Sequence, residues 1–274
     1  MSEFQKDNSF DLNNISAYKL SIQVNLDGFS FFILNNEETR LLAWQYTTVT
    51  ISSENFIARR LKEWIESEKI LCENFNSVNV TYFSGEFTCI PEALFEENKN
   101  HSEFRLLFPD LVNQKIVSFR DEKSKTFLLC AIPANLEQLL IQQFNNYTLT
   151  HPVQHLIKGL HEIESTSGNR VAIWLDIKKF FITIVRNNQI NLVNRFNYLN
   201  SNDILYYTIL TLKQLEISPQ KSFLYLSGHL DKKGDLVVKL NKYFGLVEFL
   251  KPNKGLKFDP GKMNIPRHKL ISLF

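Results

Sequence analysis

The stretch that decides the fold is LSIQVNLDGFSFFILNNEETRLLAWQYTTV, residues 20–49, which is matched by VAIWLDIKKFFITIVRNNQINLVNRFNYLN at residues 171–200. Aligned without a gap, at a constant spacing of 151 residues, the two stretches share five identical pairs: Ile22/Ile173, Phe29/Phe180, Ile33/Ile184, Asn36/Asn187 and Leu41/Leu192. Most of the other core positions keep apolar character. Self-similarity at a fixed spacing indicates an internal duplication.

Each copy has the pattern of three strands followed by a helix. Apolar and polar residues alternate, which predicts strands, and the following segments have helical spacing. Ser53 and either Asn202 or Asp203 are the predicted N-caps. The run after each helix ends alike, in Tyr-Phe-Ser-Gly at residues 82–85 and Tyr-Leu-Ser-Gly at residues 225–228. Each half therefore predicts β-β-β-α-β with a mixed sheet.

The first half carries additional elements. The pattern predicts a strand at 87–91, a short helix at 92–97, a hairpin at 116–119 and 126–132, and a helix at 136–144. A segment at 147–150 and a helix at 153–162 then lead to the domain boundary. The second half continues with a helix at 236–244, a strand at 246–250 and a short apolar end at 270–274. Three divisions follow: a flexible segment at 1–18, a first lobe at 19–166 and a second lobe at 167–274.

Charge is nearly balanced over the chain but unevenly placed along it. The sequence has 31 Lys and Arg against 29 Asp and Glu, and residues 221–274 hold 11 of the basic residues with only 4 acidic ones. A basic region of this kind permits a nucleic-acid partner, and a lysine face in contact with water is the simpler interpretation.

Cysteine use and hydropathy place the chain in the cytoplasm. Three cysteines (Cys72, Cys89 and Cys130) without Cys-x-x-Cys spacing are typical of reduced thiols. The first residues are polar and lack the apolar core of a signal peptide, and no apolar run approaches the ~20 residues that cross a bilayer. We therefore expect a cytoplasmic protein with no membrane partner.

Three short segments point to a known superfamily. They are Phe-Thr-Cys-Ile-Pro-Glu-Ala-Leu-Phe at residues 87–95, Ala-Ile-Pro at residues 131–133 and Pro-Arg-His-Lys-Leu-Ile at residues 266–271. With the duplicated pattern they resemble a bacterial family of unknown function with an actin-like ATPase fold, within the actin, Hsp70 and sugar kinase superfamily. The resemblance implies an α/β protein of two RNase H-like lobes, each β-β-β-α-β-α, that face each other across a cleft.

The same resemblance implies where a nucleotide would bind. In active members the first hairpin of each lobe surrounds the phosphates of ATP and begins with an Asp, and small residues follow in the turn. Here the two Asp positions align with Gln23 and Trp174. The turns are Asp-Gly-Phe-Ser at residues 27–30 and Asp-Ile-Lys-Lys-Phe-Phe at residues 176–181, which are poor in glycine. Bulky side chains obstruct the approach of backbone amides to phosphate oxygens, so we expect no nucleotide cofactor.

The candidate site residues lie around these turns. Asp27 and Asp176 are the candidate catalytic carboxylates, which could share a Mg²⁺ ion, although an Asp at a hairpin turn has an ordinary structural role. The cleft candidates are Gln23, Asn25, Gly28, Ser30, Trp174, Lys178, Lys179, Ser227, Gly228 and His229. Lys178 and Lys179 could bind an anion in the cleft, although a charged turn is the simpler explanation, and a left-handed backbone conformation or a close approach explains Gly228.

No metal site is predicted from the histidines. His151, His155 and His161 are close in sequence, but Pro152 starts a helix between the first two. Carboxylate or cysteine ligands at the usual spacing are missing.

Three functions compete. The first is a catalytically degenerate actin-like protein that acts as a scaffold or regulatory binding module for a protein partner, without a cofactor. The second is a divergent Mg-dependent ATPase or kinase that binds ATP and Mg²⁺ through Asp27 and Asp176. The third is a nucleic-acid or ribosome-associated protein that uses the basic residues from Lys232 to Lys269.

Overall fold

The computed structural model describes residues 4–37, 39–163, 168–251 and 256–257. In chain order the first lobe contains the strands β1 (Gln5–Lys6), β2 (Lys19–Asn25), β3 (Gly28–Leu34), β4 (Leu41–Thr48), β5 (Ser77–Tyr82), β6 (Phe87–Pro91), β7 (Gln114–Asp121), β8 (Thr126–Pro133) and β9 (Tyr147–Thr150). Its helices are α1 (Ile57–Ser67), α2 (Glu97–Leu107), α3 (Ala134–Gln143) and α4 (Pro152–His161). The second lobe contains β10 (Asn169–Leu175), β11 (Lys179–Arg186), β12 (Gln189–Asn197), α5 (Ser201–Gln214), β13 (Ser222–Gly228), α6 (Asp235–Leu240) and β14 (Leu246–Phe249).

The main sheets of the two lobes share one strand order. The first is ordered β1-β4-β3-β2-β5-β9 and the second β12-β11-β10-β13-β14. Apart from the additional antiparallel edge strand β1 of the first sheet, both have three antiparallel strands followed by two parallel strands, and the first parallel strand is reached through a helix, α1 or α5. A parallel partner requires such a crossover, whereas the antiparallel strands need only turns. The predicted two-lobed fold with mixed sheets is confirmed.

Strand register refines the alignment of the third strands. Val24 pairs with Phe29 and Leu175 with Phe180, which agrees with the spacing of 151 residues. The next strands differ, because Ile33 pairs with Ala43 whereas Ile184 pairs with Leu192. The predicted match of Leu41 with Leu192 is therefore wrong by two residues. A displacement of two keeps every side chain on its own face, so the apolar pattern concealed it.

The matched ends of the fourth strands are not equivalent either. Tyr82 pairs with Val24, and the same place in the second lobe, opposite Leu175, is held by Gly228. The predicted match of Tyr82 with Tyr225 is therefore wrong by three residues. A shift by an odd number exchanges the two faces of a strand, so the shared Ser-Gly ends are a coincidence of composition.

The core shows how the lobes are joined. In the first lobe, β2 and β3 pack one apolar face against α1, and Trp64 lies at that contact, near Phe29 and Phe31. The second sheet packs one face against α5 and α6. Its other face, which includes Ala172 and Phe181, joins the core of the first lobe, and α4 packs against β10 and β11. The two lobes thus share one continuous core beside the cleft.

The insertion of the first lobe is a small sheet with its own helix. Its strand order is β6-β8-β7, as the predicted strand and hairpin require. The helix predicted at 92–97 is wrong: Glu92–Leu94 is a single 3₁₀ turn, and α2 follows it. Only Asn100 and Phe104 of α2 are buried, so its sequence lacks the apolar periodicity that marks a helix.

The described residues of the N-terminal segment lie on the first lobe. β1 pairs with β4, and Leu12–Ala17 forms a 3₁₀ helix. The buried Asp7 accepts a hydrogen bond of 2.9 Å from the Arg40 guanidinium. Residues 4–18 therefore lie against the first lobe, and the division of the chain at 18/19 stays a prediction. The predicted boundary at 166/167, the segment at 266–271 and the apolar end at 270–274 lie outside the described residues.

Helix ends follow capping chemistry. Ser53 caps the 3₁₀ turn Glu54–Phe56 that leads into α1. The N-cap of α5 is Asn200, and Asp203 closes a capping box with it, so the prediction of Asn202 or Asp203 as N-cap is corrected. The helix predicted at 236–244 is the shorter α6. Within the described residues, no helix has the length and apolar character that crossing a membrane requires.

Candidate functional site

A small cleft lies between the lobes, where the β2–β3 and β10–β11 turns face each other. Its lining residues are Gln23, Asn25, Gly28, Ser30, Tyr46, Phe83, Trp174, Asp176 and His229. Seven of these were predicted from the sequence. Tyr46 and Phe83 were not, because β4 and the end of β5 reach the cleft only through the fold of the first lobe. Lys178, Lys179, Ser227, Gly228 and the carboxylate Asp27 do not line it.

The cleft is much smaller than a nucleotide. The space that the centres of water molecules can occupy in it is about 30 Å³, whereas one water needs roughly 10–15 Å³ on this measure. Sites for small-molecule ligands and cofactors are generally clefts of about 300–1,000 Å³. In this conformation the cleft has room for about two waters on that measure.

A hydrogen bond crosses the cleft at equivalent positions of the two lobes. Asn25 Nδ2 donates to Asp176 Oδ2 over 2.6 Å, and the two residues are 151 apart in sequence. Each side chain also accepts from the next backbone amide: Asn25 Oδ1 from Leu26 at 2.8 Å and Asp176 Oδ1 from Ile177 at 2.9 Å. Asp176 is 2% exposed. The two turns are thus built alike and are tied together by an amide–carboxylate bond.

Aromatic rings fill the rest of the space between the lobes. The ring centroids of Phe83 and Trp174 are 5.9 Å apart, as are those of Tyr46 and His229. Trp174 is 3% exposed, and its indole N–H has no acceptor among the described residues. Burial without a hydrogen bond is a cost that the packing of the ring has to offset. Trp174 therefore occupies the cleft as an apolar wedge.

Charged groups lie in and beside the two turns and affect one another. Burial raises the pKa of Asp27, and the nearby Asp176 carboxylate raises it further, against the opposing effect of Lys179. Burial lowers the pKa of Lys179, although Asp176 favours its charged form. Lys178 is exposed, whereas Lys179 is partly buried with its Nζ 5.9 Å from the centre of the Phe181 ring. The lysines therefore differ in environment, and neither opens into the cleft.

Two glycines have structural reasons for their place. Gly228 has a φ of +94°, and a Cβ there would lie 2.0 Å from the Leu175 carbonyl oxygen. A Cβ at Gly28 would lie 2.6 Å from the Thr47 carbonyl oxygen. The neighbouring Ser227 donates from Oγ to the Ile173 carbonyl over 3.1 Å. Close backbone packing explains these residues without a ligand.

The three histidines have separate partners. His151 caps α4, and burial lowers its pKa to about 3. His155 lies 3.1 Å from Thr150 Oγ1, and His161 Nε2 lies 3.1 Å from the Asp121 carboxylate. Among the residues with described positions, no group of three His, Cys, Asp or Glu side chains could hold a metal ion.

Comparisons with known proteins agree with this architecture. The model of a family described as a protein of unknown function (DUF3822) matches residues 7–247. A solved structure from Bacteroides thetaiotaomicron VPI-5482, a protein with actin-like ATPase fold and unknown function, is 23% identical with a TM-score of 0.77, over 88% of this chain and 94% of that chain. The resemblance drawn from the sequence is confirmed, and the chain has the actin-like ATPase fold.

A second solved structure is more distant. A chain of the PilM-PilN type IV pilus biogenesis complex is 11% identical with a TM-score of 0.57, over 90% of this chain and 92% of that chain. At this identity the likeness concerns the fold alone. A search of curated protein sequences finds no match.

Proposed function

The chain belongs to the DUF3822 family of proteins of unknown function, and we propose that it acts as a scaffold or regulatory binding module that does not hydrolyse ATP. One observation carries the proposal: the hydrogen bond between Asn25 and Asp176 closes the space between the two hairpin turns. Phosphates in an actin-like cleft would have to lie between those turns.

The chemistry of the turns supports the same conclusion. Phosphate binding uses backbone N–H groups that point to the ligand, and small residues allow the approach. Here the Asp176 carboxylate already accepts the Ile177 amide, and Trp174 stands beside it. A phosphate would have to displace a carboxylate from the amide and move a buried indole. Both steps cost free energy that phosphate contacts would have to recover.

A protein partner fits a closed cleft better than a small ligand does. The PilM-PilN complex contains a chain of similar fold within an assembly of type IV pilus biogenesis. For the present chain we propose a protein partner of its own, bound to the outer surface of the lobes, with the cleft contacts setting their relative position.

The experiment is thermal unfolding with ATP and Mg²⁺. We expect an unchanged Tm at millimolar nucleotide, with buffer and Mg²⁺ alone as controls. A ligand at a hundred times its Kd stabilises the folded state by about 2.7 kcal/mol. A stabilisation of that size with ATP and Mg²⁺, together with phosphate release in a hydrolysis assay, would contradict the proposal.

A second candidate function rests on the two carboxylates. Asp176 raises the pKa of Asp27, after the larger effect of burial, so their charges are near enough to interact. A divergent Mg-dependent ATPase would place a metal ion between them. That function predicts that Mg²⁺ binds in the presence of ATP and that Asp27→Asn removes the binding. Under the first proposal, neither the wild-type protein nor the Asp27→Asn variant binds the nucleotide.

A further inference from the structure

Phe181 of β11 packs against the first lobe beside the cleft. Its ring lies near three rings of that lobe, with centroids 5.7 Å from Phe87, 5.8 Å from His151 and 6.2 Å from Phe83. Phe181 is fully buried, although its strand belongs to the second lobe. Arg195 of β12 pairs with Phe181 across the strands, so its side chain projects from the same face of the sheet, toward the first lobe.

Two cations of the second lobe flank the Phe181 ring. Lys179 is partly buried, and its Nζ lies 5.9 Å from the centre of that ring. The Arg195 guanidinium lies against the backbone of Gly85 in the first lobe, so closely that a Cβ at Gly85 would lie 2.0 Å from Arg195 Nη1. Because Gly85 has no side chain, the guanidinium can lie directly on the first lobe.

Glu86 of the first lobe is fixed opposite Arg195. Its Oε1 lies 4.0 Å from Arg195 Nη2, and the side chains of Glu86 and Arg195 are 29% and 31% exposed. The Glu86 amide donates to Ser84 Oγ over 3.3 Å, and the Glu86 carbonyl accepts from the Ala131 amide over 3.1 Å. The first lobe therefore holds the backbone that carries this carboxylate at both its amide and its carbonyl.

Glu54 supplies a second carboxylate, beside Lys179. It lies in the 3₁₀ turn before α1 and accepts a hydrogen bond of 3.1 Å from Gln114 Nε2. Burial raises the pKa of Glu54, and the Glu86 carboxylate raises it further, whereas Lys179 lowers it. Burial lowers the pKa of Lys179, while Asp176 and then Glu54 favour its charged form. The two glutamates therefore repel each other, and the cations of the second lobe offset that repulsion.

The duplication shows that the fold itself does not require these cations. By strand register, the positions equivalent to Lys179, Phe181 and Arg195 in the first lobe are Gly28, Ser30 and Tyr46. Those three residues line the cleft and carry no charge at neutral pH. Equivalent positions are therefore uncharged in the first lobe, which supplies the carboxylates, and cationic in the second.

We propose that Glu54 and Glu86 of the first lobe and Lys179 and Arg195 of the second form an ionic latch that keeps the lobes closed and that salt loosens. Isolated exposed ion pairs contribute little to stability, whereas several charges in a network contribute more. The Debye length falls from about 30 Å at 0.01 M salt to about 3 Å at 1 M, so salt weakens the attraction between partly exposed charges. The apolar contacts of Phe181 are not screened in this way. The latch concerns the opening of the lobes and does not depend on which partner binds.

The test is a distance measurement between the lobes at low and high salt. Cys72 is exposed on the first lobe, whereas burial raises the pKa of Cys130 and raises that of Cys89 to about 12. A nitroxide reagent should therefore label Cys72 and a second cysteine introduced at the exposed Lys213 of α5. Double electron–electron resonance then gives the distance between the two labels. We expect one distance at about 0.01 M sodium chloride and a second population, at a different distance, that grows toward about 1 M.

Charge reversal separates the latch from other effects of salt. Arg195→Glu places a third carboxylate beside Glu86 and should populate the second distance already at low salt. Adding Glu86→Arg to Arg195→Glu restores opposite charges and should return the labels to the first distance. The matched control is Lys115→Glu, which reverses the cation of an ion pair within the first lobe, Lys115 with Glu137 at 2.6 Å. That control should leave the distance unchanged.

A milder variant decides the question if Arg195→Glu does not fold, which circular dichroism would reveal. Glu86→Gln removes one charge of the latch without adding another, and it should lower the salt concentration at which the second distance appears. A single distance in the wild type from low to high salt overturns the proposal. So does a response to salt that Glu86→Gln leaves unchanged.

Discussion

The amide of Asn25 now donates a hydrogen bond to the carboxylate of Asp176, so replacing Asn25 with aspartate would bring two carboxylates into contact. Asn25 Nδ2 lies 2.6 Å from Asp176 Oδ2, and Asp176 is 2% exposed, so water screens the new pair poorly. Loss of a hydrogen bond to a charged group costs about 1.5–3 kcal/mol. Like charges about 4 Å apart repel by about 4 kcal/mol at an effective dielectric constant of 20. The sum is roughly 6 kcal/mol at high pH.

Proton uptake limits this loss and makes it depend on pH. A proton shared by the two carboxyls is held more tightly in the folded chain than in the unfolded chain. The variant therefore regains stability as the pH falls. Protonation costs 1.36 kcal/mol for each pH unit above the ordinary Asp pKa of about 3.9, which is about 5.6 kcal/mol at pH 8 and about 1.5 kcal/mol at pH 5. We expect Asn25→Asp to lose about 5 kcal/mol relative to wild type at pH 8 and about 1.5 kcal/mol at pH 5.

Urea denaturation at the two pH values, followed by tryptophan fluorescence and circular dichroism, measures the loss. The matched control exchanges the pair, Asn25→Asp with Asp176→Asn, and restores an amide–carboxylate bond of opposite direction. Both side chains then keep an oxygen for the Leu26 and Ile177 amides, so most of the stability should return. Two results would refute the reasoning. One is that Asn25→Asp unfolds at the same urea concentration as the wild type at pH 8, and the other is that the double variant is no more stable than Asn25→Asp alone.

Two further predictions concern the backbone and acid stability. Gly228→Ala should lose more than about 2 kcal/mol in urea denaturation, because its φ is +94° and the new Cβ meets the Leu175 carbonyl oxygen, whereas Gly234→Ala, at a φ of −71°, should lose less. Although burial opposes it, hydrogen bonding with His161 helps lower the pKa of Asp121 to about 2. Asp121→Asn should therefore cost about 2 kcal/mol at pH 7, and the difference from wild type should disappear as the pH falls from about 4 to 2.

Much of the fold could be predicted because the decisive strands are buried on a regular pattern. β6 was predicted at the residues where it lies, and the hairpin β7–β8 within a few residues. Their apolar residues alternate clearly and their ends are marked by Pro, Asn or charged turns. By contrast, α2 has only Asn100 and Phe104 buried, so the physical signal that marks a helix is nearly absent from its sequence.

The part of the candidate site that lies on the two hairpin turns could be predicted from the sequence. Asn25 and Asp176 occupy the same place in the two copies, and equivalent turns of facing lobes meet. Tyr46 and Phe83 could not be found in this way, because their position depends on strand registers that a two- or three-residue alignment error hides. Sequence also could not reveal that Lys179 does not line the cleft and that its Nζ lies 5.9 Å from the centre of the Phe181 ring instead.

The most direct test of the closed cleft is a crystal structure of the chain grown with millimolar ATP and Mg²⁺. If the cleft is closed, the electron density will place Asn25 Nδ2 within hydrogen-bond distance of Asp176 Oδ2, with Trp174 packed beside Phe83 and no nucleotide between the turns. Lobes moved apart around a Mg²⁺-bound nucleotide, with the Asn25–Asp176 bond broken and Trp174 displaced, would contradict it.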